Sequence, residues 1–326
     1  MKEIIRAAAL MAAIICLIPA AAAENKEEGA LNTSAPTVLS AKSDMLSVFS
    51  EKTGEITELS IEEYTLYAIL AELPRIPDTE ALKAQAVAAR TYAARRILSG
   101  GDESIGGAHI SDDPEKYQIC LTDEQARSLY GADFDSAFSS AQAAAALTEG
   151  EILTYNGLPI VAAFHTASTG MTEASENVWG IPEPYLIPVL SEWDKTSPYY
   201  GAEYEFTSAE IFARISSEYE NAKKDMDIST DVTPTGTVKT VTICGVALTG
   251  ERLAQMLSLP SAAFTVSADE SAACFTVNGS GHLAGMSMYG ADCMAKEGYD
   301  YREILAHYYP GTEISLFMPS SADNGE

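Results

Sequence analysis

The stretch Glu72-Leu-Pro-Arg-Ile-Pro-Asp78-Thr-Glu80-Ala-Leu-Lys-Ala-Gln85-Ala-Val-Ala-Ala-Arg90-Thr-Tyr92 reads as the end of one helix, a proline stop and a second helix crowded with alanine. The first helix starts at Ser60-Ile-Glu-Glu63, a capping box in which the serine hydroxyl serves the first-turn amides and the glutamate reaches back. It runs to about Ala71, with Tyr64, Tyr67, Ala68 and Ala71 on one face, and Pro74 and Pro77 end it. Asp78 is the expected N-cap of the second helix, which continues to about Leu98 before Ser99-Gly-Gly101 stops it. Leu82, Ala86, Ala89, Ala93 and Ile97 form its stripe at helical spacing, with Gln85 and Tyr92 at one edge and Lys83 and Arg90 on another side. Alanine lets neighbouring elements come close, so the few polar groups here are expected to be enclosed.

Glu72 stands out on chemical grounds. A carboxylate at a helix C-terminus faces the negative end of the dipole, and partial burial raises its pKa further. A carboxyl group protonated near neutrality can donate a proton to a leaving oxygen. The bland alternative is one exposed glutamate among 47 acidic residues. Glu80 is the rival acid, but a first-turn position favours its ionised form.

Around this corner the chain alternates helices and hairpins. Met45 to Ile56 resembles a hairpin turning at Lys52-Thr53-Gly54. Residues 106–121 read as loop, and helices are expected over 122–130 and 134–147. A second hairpin, 152–155 and 159–164 around Asn156-Gly157, delivers His165-Thr-Ala-Ser-Thr-Gly170. A Pro-, Tyr- and Trp-rich loop then runs to Tyr200. Beyond it the pattern predicts a helix over 208–223, strands over 231–246 and 263–277, and a short helix over 250–257. Helices over 286–296 and 301–308 close the chain, and the tail from Pro319 reads as disordered.

Composition narrows the function classes. The chain has 326 residues, 47% of them hydrophobic, enough for a substantial core. Its net charge of −27 repels nucleic acid and anionic headgroups at long range, which argues against a nucleic-acid partner. Lys2 and Arg6, the apolar run Ala7 to Ala23 and the Ala-x-Ala ending form a secretory signal, with an uncleaved N-terminal anchor as alternative. Either way the body is expected outside the cytoplasm, touching a membrane only through residues 1–23. Residues 24–44 are charged, Ser/Thr-rich and read as a disordered linker. Cys120, Cys244, Cys274 and Cys293 remain after the signal, and free buried thiols are preferred to disulfides. The four histidines are scattered; His109, Asp112, Asp113 and Cys120 are the only metal candidates close in sequence.

Two further constellations carry polar groups. His165 and the hydroxyls of the following Thr-Ala-Ser-Thr-Gly can line a polyhydroxylated ligand. A serine hydrolase built on Ser168 and His165 is disfavoured, because there is no Gly-x-Ser-x-Gly elbow and no evident orienting aspartate. Gly279-Ser-Gly-His-Leu-Ala-Gly285 is a glycine-rich turn before a helix, without the ending of a phosphate loop.

Together these segments resemble the stage II sporulation protein D family, which includes the amidase enhancers. Glu80 to Ala93 resembles the family signature, and Ala71-Glu-Leu-Pro74 its Glu-Met-Pro element. Phe164-His-Thr-Ala-Ser-Thr-Gly170 with Val178-Trp179, Gly281-His-Leu-Ala-Gly-Met-Ser-Met-Tyr-Gly-Ala291 and Tyr301 to Gly311 follow in family order. The resemblance implies an α+β fold: mixed helices and antiparallel strands over 45–318, forming a catalytic cleft, with an inserted lobe at about 205–275. It implies a lytic transglycosylase acting on peptidoglycan glycan strands stripped of stem peptides, as in engulfment during sporulation. The competing class is a glycan-binding enhancer of a partner cell-wall amidase. Glu72 would be the catalytic acid, and Gln85, Arg90, Tyr92, His165, Ser168, His282, Ser287 and Tyr289 would bind substrate. Thr169, Leu283 and Met288 depart from the pattern. Some relatives hold zinc after the alanine-rich helix. Here Ser111 and Tyr117 stand where cysteines would be, so no metal and no cofactor is expected.

Overall fold

The computed structural model describes residues 37–41, 43–72, 77–114 and 116–319. Over these residues the chain forms two compact units, one of residues 37–162 with 311–319 and the other of 163–310. The 1–23 signal and the 320–326 tail lie outside the described residues, among which no helix is long and apolar enough to cross a membrane.

The first unit contains β1 (Val38–Ala41), β2 (Met45–Phe49), β3 (Ile56–Ser60), α1 (Ile61–Glu72), α2 (Thr79–Ser99) and β4 (Ile110–Ser111). It continues with α3 (Asp123–Tyr130), α4 (Phe134–Leu147), β5 (Glu151–Tyr155) and β6 (Leu158–Pro159), and takes back the last strand, β15 (Glu313–Pro319). Its two sheets have the orders β1-β15-β5-β6 and β3-β2-β4. The linker reading of 24–44 is therefore wrong at its end, because β1 pairs in parallel with β15, Val38 opposite Leu316. A four-residue strand whose partner lies at the far end of the chain leaves little local signal in a Ser-rich segment.

Asp78 caps α2 by accepting the Glu80 N–H at 3.0 Å, and Gly100 ends the helix at φ 80°. From Ala84 to Ala94 every residue of α2 is buried, because α1, α4 and β5 all pack against it. The expected single stripe is too narrow a description. Small side chains allow close approach on every side, and a helix buried all round needs no polar face.

Asn156 and Gly157, both at positive φ (51° and 76°), make the tight turn between β5 and β6. The second arm is shorter than expected. Pairing ends after the bond from Ile160 N–H to Leu153 O, and Phe164–His165 joins a different sheet.

The second unit runs β7 (Phe164–His165), α5 (Ser175–Trp179), a 3-10 turn (Glu192–Thr196), β8 (Tyr200–Thr207), α6 (Ser208–Ser216) and β9 (Ser229–Val232). It continues β10 (Val238–Ile243), β11 (Val246–Thr249), α7 (Gly250–Leu257), β12 (Phe264–Ala268), β13 (Ala272–Asn278), β14 (Met286–Ser287), α8 (Met288–Lys296) and α9 (Tyr301–Tyr308). The antiparallel sheets β11-β10-β9 and β12-β13-β8 share one apolar cluster, including Ile211, Val241, Leu253 and Phe275. The elements that build this cluster run in the chain from β8 to β13. Helix α6 stops at Ser216 rather than Lys223, since the Ser216 and Ser217 hydroxyls bond back to Ala213 O and Arg214 O and compete with the helix pattern. The fold is α+β, with mostly antiparallel strands.

Candidate functional site

The sequence-predicted site residues fall into two groups, one in each unit. In the first unit, Glu72 is the last residue of α1. Residues 73–76, with the Leu-Pro element, lie outside the described residues. The hydroxyl of Tyr130 donates to Leu70 O at 2.9 Å and so satisfies one of the carbonyls left open at the end of α1. Burial pushes the Glu72 carboxyl from its ordinary value near 4.5 up to about 7, and burial is the only cause. Among the described residues no donor reaches it. Glu80, by contrast, is paired with Lys83 at 2.6 Å in the first turn of α2.

Arg90 is fully buried and its guanidinium is spent. Nε and one terminal nitrogen each donate to Glu62 at 2.7 Å. The remaining N–H groups serve Ala145 O at 3.1 Å, Glu151 O at 3.2 Å and, more weakly, the Thr148 hydroxyl. Five donors make five bonds, so no Arg90 N–H is left over for a ligand. Arg90 ties α1, through Glu62, to the end of α4 and the start of β5.

Tyr92 also faces inward. Its ring stacks on Tyr64 at 6.4 Å, the Arg96 guanidinium lies 5.4 Å from its centroid, and its hydroxyl accepts the Gln118 N–H at 3.3 Å. Gln85 differs from both: it is fully buried and, among the described residues, neither amide atom has a partner. A buried amide without partners costs about 1–3 kcal/mol, which marks Gln85 as a position not chosen for stability.

In the second unit, β7 and β14 run parallel with Ser287 opposite His165. Gly281 and Gly285 shape the turn before β14. Both have positive φ, and a Cβ on Gly285 would meet Ala163 O at 2.0 Å. Leu283, where the resemblance leads one to expect glycine, sits at φ 68° with its side chain buried, a strained conformation for a leucine.

The turn holds two neutral imidazoles through one residue. His165 Nδ1–H donates to Ala284 O at 3.1 Å, while His282 Nδ1 accepts the Ala284 N–H at 3.1 Å. A further bond from the His282 ring goes to the Phe164 carbonyl. His282 therefore has both nitrogens occupied, whereas His165 keeps a buried Nε2 lone pair with no partner among the described residues. Burial pushes His165 down to about 4. Burial and the neighbouring His165 push His282 down to about 3. The rings lie 5.8 Å apart, and half-buried Trp179 lies 5.1 Å from His282.

Ser168 and Ser287 are fully buried. Each hydroxyl donates to Asp194, and each accepts a backbone N–H, from Gly170 at 3.2 Å and Gly290 at 3.0 Å respectively. Ser287 caps α8, and both hydroxyls serve Asp194. Tyr289 stays partly exposed, its hydroxyl against Thr196 O at 3.2 Å.

Asp194 escaped the sequence reading, which found no aspartate for Ser168. It lies 26 residues further on in the aromatic loop, and nothing local ties it to the serine. It does not build a Ser-His-Asp relay either, because Asp194 bonds the Ser168 hydroxyl directly, with no imidazole between them. Glu173 was missed as well. Its buried carboxylate accepts from Thr233, Thr235, Asn177 and the Ala174 N–H, joining the β9–β10 turn to α5.

Among the described residues no group of three His, Cys, Asp or Glu side chains is gathered as a metal site. His109 Nδ1 is engaged by Ser47 at 2.8 Å, Asp112 accepts the Glu51 N–H at 2.8 Å, and burial pushes the Cys120 thiol up to about 12. The four cysteines are free thiols.

Residues 50–155 match the family described as Stage II sporulation protein. The chain is 33% identical over 331 residues to stage II sporulation protein D of Bacillus subtilis (strain 168), covering 97% of this chain and 96% of that protein. It is 34% identical over 268 residues to stage II sporulation protein D of Bacillus amyloliquefaciens, covering 82% and 78%. The amidase enhancer of Bacillus subtilis (strain 168) is 27% identical over 302 residues, covering 76% of this chain and 39% of that protein. With most of its length matched at this identity, the chain belongs to the stage II sporulation protein D family.

Proposed function

We propose that this protein is an exported lytic transglycosylase, cleaving peptidoglycan glycan strands stripped of stem peptides, with Glu72 as acid and base. The observation that carries the reading is the carboxyl of Glu72, pushed to about 7 by burial alone. Such a group is protonated in a large fraction of molecules at neutral pH and can be cycled. Glu72 gives its proton to the glycosidic oxygen as the C1–O bond breaks. The C6 hydroxyl of the same sugar then bonds to C1, and its proton passes to the Glu72 carboxylate. The product is a 1,6-anhydro ring, water is not consumed, and the second carboxylate of ordinary glycosidases is not required.

A neutral substrate suits the second unit. His165 and His282 are uncharged at neutral pH, and the His165 Nε2 lone pair can accept a sugar hydroxyl. Trp179 offers an aromatic surface beside His282. The test is digestion of amidase-treated strands with purified protein, followed by mass spectrometry. Formation of 1,6-anhydro ends by the wild type and their loss in Glu72→Gln are expected. Wild-type levels in Glu72→Gln would sink the mechanism.

The similarity to an amidase enhancer favours a second reading, in which the chain binds glycan and activates a partner amidase without cleaving. That role does not need Glu72. A Glu72→Gln protein that still binds strands and stimulates an amidase, from a wild type that yields no anhydro ends, would establish it.

A further inference from the structure

We propose that Asp194 is a positioning residue: its buried carboxylate clamps the strand end bearing His165 to the start of α8 and so holds the His165–His282–Trp179 face in its binding geometry. That the face receives a glycan rests on the function proposed above; the clamp itself does not.

Asp194 is fully buried and touches no solvent, so it acts only through its partners. One carboxylate oxygen accepts the Ser168 N–H at 2.8 Å and the Ser168 hydroxyl. The other accepts the Ser287 hydroxyl at 2.7 Å. Ser168 follows His165 by three residues, and Ser287 lies opposite His165 in the β7–β14 pair. That pair is two residues long and carries few backbone bonds of its own. Charge-assisted bonds are stronger than neutral ones, so the carboxylate supplies much of what fixes the register.

The clamp continues outward. The Ser191 hydroxyl bonds to Asp194 and lies 2.8 Å from the Tyr308 hydroxyl. A Cβ on Gly290 would meet the Tyr308 hydroxyl oxygen at 2.0 Å and the Ser191 oxygen at 2.4 Å. The loop after β7, the aromatic loop, α8 and α9 therefore converge on one charge, and the turn presenting His282 ends at the clamped Ser287.

The chain's two tryptophans, Trp179 and Trp193, make the test local. Trp193 donates its indole N–H to Glu297 and lies outside the histidine face, so Trp193→Phe leaves Trp179 as the sole reporter. In that background Asp194→Asn keeps the shape but replaces an acceptor oxygen with a donor facing groups that are themselves donors. In protein shown to be folded by its thermal transition, acrylamide quenching of Trp179 is expected to rise about twofold, and affinity for soluble amidase-stripped strands to fall about tenfold. Ser287→Ala should move both readouts in the same direction, and Ser287→Thr, which keeps the hydroxyl, should restore them. Unchanged quenching in Asp194→Asn, or in Ser168→Ala and Ser287→Ala should the former not fold, would overturn the proposal. Altered quenching in a parent that binds no strands would leave the clamp standing and remove the glycan reading.

Discussion

Glu72 in the first unit is a half-buried carboxyl group and Asp194 in the second a fully buried one, and the fold treats them differently. Glu72 ends a helix, receives no hydrogen bond from the described residues and is moved by burial alone. Burial raises the Asp194 carboxyl as well, but bonds from Ser168, Ser287 and Ser191 pull against it. In Glu173 the donors outweigh burial and hold the carboxyl below the usual range. Burial by itself does not make an acid; burial without donors does. Glu72 is thereby left able to exchange a proton and Glu173 is fixed as a structural charge, while Asp194, raised by burial but held by three hydroxyls, lies between them.

The largest expected effect tests the reactive end of this contrast. Glu72→Gln should lower the rate of 1,6-anhydro formation by about 10²–10⁴-fold, the range for a general acid, while strand binding persists. In the wild type the rate should fall as pH rises through about 7, because the proton to be donated is then lost. A rate that instead rises across that window would make the ionised form the working species and break the comparison.

Next in size is the frame that carries Glu72. Arg90→Met leaves Glu62, on the same helix, without its counter-ion and removes five hydrogen bonds. Loss of about 3–5 kcal/mol in denaturant unfolding is expected, as for other broken enclosed pairs. A loss below about 1 kcal/mol would return Arg90 to the substrate side.

The site was legible in the sequence where its signals are local. The helix pair, its Asp78 cap, the Asn156-Gly157 turn and the end position of Glu72 follow from spacing and capping chemistry over a few residues. What the sequence hid is where polar groups spend their bonds. Arg90, Ser168 and Ser287 carry the residue types of a binding surface, yet each is saturated by partners 26 to 93 residues away. Asp194 and Glu173 show the reverse. Each sits in an irregular segment with no pattern to announce it, and each organises groups brought together only by folding. The strand β1 was missed for the same reason, since its partner is β15 at the other end of the chain.

A smaller effect separates Glu173 from Glu72 by slope. With its pKa depressed by four donors, Glu173 contributes stability that is present at neutral pH and lost as pH falls past the ordinary glutamate value near 4.5. Glu173→Gln presents an amide N–H to groups that already donate, so it should cost about 1–3 kcal/mol at pH 7. The cost should shrink in acid as the wild type loses the same charge. Thermal melts at pH 7 and pH 4 measure it, and a cost independent of pH would mean that shape rather than charge holds the β9–β10 turn.

The smallest effect has the opposite sign. Burial raises the Glu72 pKa, so the folded state binds its proton more tightly than the unfolded chain between about 4.5 and about 7. Stability associated with this group is complete below 4.5 and is lost as pH rises through 7. Glutamine does not titrate and escapes that loss. Glu72→Gln should therefore match the wild type at pH 5 and exceed it at pH 8 by about 1–2 kcal/mol, discounting the full shift because Glu72 is only half-buried. His165 and His282 titrate below this window and are common to both proteins, so they cancel in the difference. Melts of the two proteins across pH 5–8 give the gap directly. A gap that closes toward pH 8 would mean that Glu72 gains a donor in solution, and its likeness to Asp194 would then outweigh the contrast.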